Sequence, residues 1–237
     1  MKPTTPLSIL LGLAGVALLV LLLATKTTSD SRPAPGAVAG LPPGASPIRS
    51  IHAHVCGFHF YSGDLKRALR VDHYCSHLNA EVLQCVIYDS DRKNARLIGI
   101  EYIISEALFL GLPDGERKLW HSHRYEVMSG LLTAPGLEAA AEQELMQGLV
   151  STYGKTWHLW QVDRGDRLPL GLPKLMMGFT ADGQVDPALV AARDRDQLVD
   201  ARMRQTLRAG FPTRPVAAGA DGWQHGPAFQ LEDGGMD

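Results

Sequence analysis

Cysteine is scarce: the 237 residues hold three, too few for a disulfide scaffold and without the paired CxxC spacing of a structural zinc site. Charge of one sign is lacking too. With 23 Lys+Arg against 25 Asp+Glu the formal charge is -2, which provides no basic field for a phosphate backbone and excludes nucleic acid as a partner. The chain has no HExxH helix, no GxSxG elbow and no glycine-rich phosphate loop, so metalloprotease, serine hydrolase and nucleotide-binding chemistries have no footing. No repeat of solenoid length occurs.

What is there begins with a long apolar run. Residues 7–24 carry no charge, with Lys2 before and Lys26 after. A helix of that length covers about 27 Å, enough to cross a thin bilayer. The run is longer than a signal-peptide core and no small-x-small cleavage site follows it, so residues 1–26 read as an uncleaved anchor, with a cleaved signal peptide as the alternative. Lys2 and the terminal amine favour a cytoplasmic N-terminus. Membrane lipid is then the partner of residues 7–24, and the remainder lies on the extracytoplasmic side, or is secreted or periplasmic if the segment is cleaved. Residues 27–47 are mainly Pro, Gly, Ala, Ser and Thr and read as a tether. Residues 210–237 are again rich in Gly, Ala and Pro, have acidic but no basic residues after Pro215, and read as a flexible acidic tail. One domain remains, residues 48–209.

Inside it, alternation over 51–60 and the β-rich runs 83–88 and 95–103 predict strands. The polar stretch 89–94 makes the last two a hairpin. Residues 157–162 and 175–180 are further strand candidates. Leu65, Ala68, Val71, Cys75 and Leu78 fall on one helical stripe and predict a helix over 64–78; others are expected over 137–152 and 187–208. Because the strands cluster instead of alternating with helices, the fold class is α+β: a mostly antiparallel sheet with flanking helices.

Eight of the nine histidines lie between His52 and His158. Residues two apart on a strand share a face, so His54 and Cys56 point together, and so do His121 and His123 if their segment is extended. These four are the candidate ligands for zinc or another divalent metal, with Glu126 nearby as a base or as a support for a ligand. Against this, H-x-H pairs also occur as ordinary hydrogen-bonded surface groups. His73 and His77 are set aside, because on the expected helix they sit beside Lys66 and Arg70, a cationic face that repels a metal ion. Cys75 and Cys85 read as buried apolar residues or, in an exported domain, as a disulfide with Cys56 left over. The charges of Asp163–Arg167 balance locally and read as a salt-bridged loop.

Five stretches, Asp72–Asn79 (DHYCSHLN), Leu83–Ser90 (LQCVIYDS), Ala95–Glu106 (ARLIGIEYIISE), Lys118–His123 (KLWHSH) and Gln161–Gly171 (QVDRGDRLPLG), together resemble the oil body-associated proteins. The chain reads as a bacterial member. The resemblance implies association with lipid bodies for plant members; for bacterial relatives it implies a domain without an assigned reaction, and no catalytic residue carries over. The apolar run and tether before the domain depart from the plant pattern, so a seed lipid body is not the implied destination. A binding or structural role at a lipid or envelope surface is the first functional expectation. A metal-dependent enzyme built on the H-x-H clusters is the second.

Overall fold

A computed structural model describes residues 46–232. The apolar run 7–24 and residues 27–45 of the tether lie outside that range, and among the described residues no helix is long and apolar enough to cross a membrane.

Strands β1 (Ala53–Tyr61), β2 (Asp64–Asn79), β3 (Val82–Tyr88) and β4 (Leu97–Ile104) form a continuous antiparallel meander. After a helical excursion the chain returns as β6 (Tyr153–His158) and β7 (Lys174–Met177). β7 pairs with β1 and β6, and β6 pairs with β4, so six strands close into a barrel and leave no long open edge. The two-residue strand β5 (His121–Ser122) pairs with Gly154 and Tyr153. β4 occupies one edge of β6 along its whole length, so β5 continues the other edge where β7 stops. The expected antiparallel α+β domain is therefore present, with its sheet closed on itself.

The helix expected over 64–78 is instead the longest strand, β2. The same residues carry a second, two-residue period: Leu69, Val71, His73 and Cys75 are all buried, and they face the barrel interior opposite their β1 and β3 neighbours. Burial on both sides of a closed sheet outweighs a stripe that a lone helix would need. Cys75 and Cys85 are direct cross-strand partners and form a disulfide, leaving Cys56 as the free thiol.

Between β4 and β6 run α1 (Glu106–Leu110), α2 (Asp114–Arg117), α3 (Arg124–Met128) and α4 (Ala139–Leu149). The single helix expected over 187–208 is two, α5 (Pro187–Gln197) and α6 (Ala201–Arg208), each with an aspartate N-cap, Asp186 bonding to Ala188 N–H and Asp200 to Met203 N–H. Their function in the fold is carried by two fully buried arginines. Arg193 donates to the carbonyls of Leu131 and Gly130, and Arg208 donates to those of Val127 and Leu132 and to Glu142. Together they hold the loop that follows α3 against β1, where Cys56 and Thr133 exchange backbone hydrogen bonds.

The stretch after residue 210 is not a free tail over its described part. Ala220 and Asp221 are buried, the Trp223 ring packs 4.9 Å from that of Phe60, and Gln230 bonds the backbone of Ser62 and Leu175. Gly219 and Gly222 fit closely against Arg117 and Lys118, which a count of large apolar residues does not anticipate.

Apolar packing fills both ends of the barrel. Val55, Cys75, Cys85 and Ile103 meet Val127, Leu132, Met146 and Leu149 at one end, and Tyr61, Leu69, Val71, Ile87, Ile98 and Met176 pack together at the other. The layer between them is polar.

Candidate metal centre

Glu101 stands at the middle of that layer, 1% exposed, on the face of β4 that turns inward. Four imidazoles surround its carboxylate. His73 Nε2 is 2.7 Å and His59 Nε2 3.7 Å from Oε2, while His123 Nε2 is 3.1 Å and His121 Nε2 3.4 Å from Oε1. Glu126 Oε2 approaches His121 Nε2 at 4.0 Å. All six side chains are buried. The donor atoms of His59, Glu101 and His121 lie within 4.8 Å of one another, as do those of His121, His123 and Glu126. A cavity of about 10 Å³ among them is the size of one water-sized sphere.

Backbone choices make this convergence possible. β1 carries His59, β2 carries His73 and β4 carries Glu101, each at the inward parity of its strand. β5 supplies His121, and His123 and Glu126 come from the start of α3. Two glycines leave the space: a Cβ on Gly154 would collide with Glu101 Oε1 and sit 2.8 Å from Nε2 of both His121 and His123, and a Cβ on Gly178 would sit 2.6 Å from Glu126 Oε2.

Several of these donor atoms are without a hydrogen-bond partner. His73 Nε2, although 2.7 Å from a carboxylate oxygen, is misaligned for a hydrogen bond, and neither nitrogen of His121 has a partner. His123 is the most informative. Its Nδ1 is 2.8 Å from Thr152 Oγ1, and that hydroxyl spends its one proton on the carbonyl of Leu149, so Nδ1–H donates to it. Burial pushes the His123 pKa down although Glu101 opposes the shift, and Nε2 lies 3.1 Å from Glu101 Oε1, within hydrogen-bond distance. Fixing one imidazole nitrogen through a hydroxyl so that the other turns inward is the usual support for a metal-bound histidine.

Burial opposes charge on His121, but Glu101 outweighs it and raises that imidazole above its ordinary value, so the two also match an imidazolium–carboxylate pair. Burial opposes the charged form of Glu101, but His73, His121 and His123 outweigh it and hold the carboxyl well below the usual range. Burial keeps His59 well below its ordinary value and pushes His158, whose ring centroid is 5.6 Å from that of His59, down to about 3. Glu126 is pushed up to about 8 by burial, which outweighs the opposing attraction of His121 4.0 Å away.

A family model described as "Protein of unknown function (DUF1264)" matches residues 45–212. The chain belongs to the DUF1264 family. It is 52% identical over 140 residues to oil body-associated protein 1B of Arabidopsis thaliana, covering 59% of this chain and 58% of that one. Against oil body-associated protein 1A of Zea mays the identity is 51% over 142 residues, or 60% of each chain. Oil body-associated protein 2B of Zea mays is 47% identical over 192 residues, covering 78% of this chain and 77% of the relative. The chain thus spans about three fifths of the length of the first two relatives. No solved structure matches it.

In this DUF1264 domain the four ligands expected from spacing do not converge. His121 and His123 join the centre; His54 and Cys56 do not. His54 and Cys56 have the outward parity of β1, opposite to that of His59, which reaches His121 across the barrel. His54 Nε2 pairs with Asp72 at 2.9 Å, and burial beside Asp72 pushes the Cys56 thiol up to about 12, so it is no thiolate ligand. His73, set aside as a surface residue, is 3% exposed and touches Glu101, whereas His77 is solvent-facing. His59, His73 and Glu101 had one legible signal, a polar residue at the inward position of an otherwise apolar alternation.

Proposed function

We propose that the barrel binds one divalent transition-metal ion of the zinc class on Glu101 and the imidazoles of His59, His73, His121 and His123, with Glu126 at its margin. The observation that carries this reading is the convergence of four buried imidazoles on one buried carboxylate, with both nitrogens of His73 and of His121 left without a hydrogen-bond partner. Nitrogen and oxygen donors suit zinc, iron, copper or nickel better than calcium or magnesium. Full burial of the donors favours an ion held for structure or for chemistry on a very small substrate over one open to bulky substrates.

The test is metal analysis of the full chain purified without a histidine tag from cells grown with each metal. About one equivalent should co-purify, and His123→Ala and Glu101→Ala should each lose it while remaining folded. A folded wild-type chain carrying less than about a tenth of an equivalent of every metal after such growth would refute the reading.

A second reading concerns location. We propose that residues 7–24 hold the chain at a membrane with the domain in an oxidising, extracytoplasmic compartment. The buried Cys75–Cys85 disulfide supports that compartment, and the naming of the relatives as oil body-associated is in keeping with a lipid surface. The exposed Leu168 and Leu170 add an apolar loop that a lipid surface would cover. The full chain should stay with membranes in alkaline carbonate, and protease added outside the cell envelope should cut the domain. Release by carbonate would dispose of the anchor.

A further inference from the structure

A second cavity lies on the other side of β5. It encloses about 540 Å³, within the range of small-molecule sites, and is walled by α3 and by residues 213–225. Ser122 separates it from the metal centre: its neighbours His121 and His123 are the centre's ligands, while its own side chain turns to the cleft wall and donates to Asp221.

The wall is built. Asp221 occupies the left-handed region at φ 54°, a conformation an aspartate adopts at a cost, and accepts from both the Ser122 N–H (2.9 Å) and the Ser122 hydroxyl (2.7 Å). The Asp221 N–H donates to the carbonyl of Trp120, and the Ala217 N–H donates to the Tyr153 hydroxyl. The cleft is therefore preformed, and its one buried acid has both oxygens engaged.

Its chemistry has two halves. Arg124 is exposed at the cleft and has no hydrogen-bond or ion-pair partner among the described residues, and His225 lies on the same lining. Tyr125, the other polar group of α3 here, is already bonded to Asp182 at 2.6 Å. Met128, Val216 and Ala218 supply an apolar surface. A free guanidinium offers a planar fork of donors that matches a carboxylate, and the apolar side accepts a short hydrocarbon body.

We infer that this cleft is a binding site for a small organic acid, its carboxylate on Arg124 and its apolar body against Met128, Val216 and Ala218. The site does not depend on the metal reading, because none of the metal donors lines it.

The test is calorimetric titration of the full chain in non-ionic detergent with hexanoate, its neutral analogue hexanamide, and inorganic phosphate. Hexanoate should bind at least about tenfold more tightly than either of the others. Arg124→Gln should reduce hexanoate to the level of the amide, and Ala218→Trp, which fills the cleft and keeps the guanidinium, should abolish binding. Neither variant should change the metal content. No hexanoate binding up to about 10 mM, equal binding of acid and amide, phosphate as tight as hexanoate, or binding indifferent to both variants would each overturn the inference.

Discussion

Replacing Arg208 by methionine should destabilise the domain by about 3–5 kcal/mol in chemical denaturation, the range for removing one partner of a buried ion pair. The residue is 0% exposed and bonds two carbonyls, Val127 at 2.8 Å and Leu132 at 2.7 Å, as well as Glu142 at 3.2 Å. Methionine fills much of the same volume, so the loss is that of the donors and not of packing. Glu142, 1% exposed, would keep Arg204 and the Ala134 N–H but lose the charge that neutralises it from within. The loop Arg208 clamps follows directly on α3, so metal content should fall along with stability. A cost below about 1 kcal/mol would show that the loop is held by its contacts with β1 alone.

The second large effect is a pH dependence at Glu126. An unfolded glutamate titrates near 4.5, and burial raises this one to about 8 in the folded chain. Between those values the folded state retains a proton that the unfolded state has released, so this group's contribution to stability is present in acid and is lost as pH rises through the window. The full swing amounts to about 3–5 kcal/mol. His59, His123 and His158 act in the opposite sense, since burial depresses all three and folding is disfavoured where an unfolded histidine would be charged. The difference between Glu126→Gln and wild type, both stripped of metal, isolates the glutamate. The variant should gain on wild type between about pH 5 and about pH 8.5 by that amount, and a bound cation should suppress the gain by holding the carboxylate charged. A difference independent of pH would mean that Glu126 ionises normally.

Position in the chain shows why the centre was only half legible. His121 and His123 are two residues apart in one short segment, a pattern visible without any fold. His54 and Cys56 show the same spacing and lead elsewhere, because spacing reports that two side chains share a face but not which face is inside. His59, on the same strand, has the opposite parity and reaches the centre. His73 was hidden by an error of period: read at 3.6 residues it joins Lys66 and Arg70, and read at 2 it joins Leu69, Val71 and Cys75.

The sequence by itself determined the family, through five ordered motifs between Asp72 and Gly171, and the α+β character, through clustered strands whose alternation follows from local sterics and side-chain direction. It also reduced the cysteine question to a Cys75–Cys85 pair or buried thiols. Tertiary structure alone decided that the sheet closes through the β4–β6 pairing, since that contact joins residues some fifty positions apart and no local pattern encodes it. Closure defines an inside. Only then do a glutamate from β4, two histidines from the meander and two from the excursion after it acquire a common neighbour, in a buried layer between the two apolar ends.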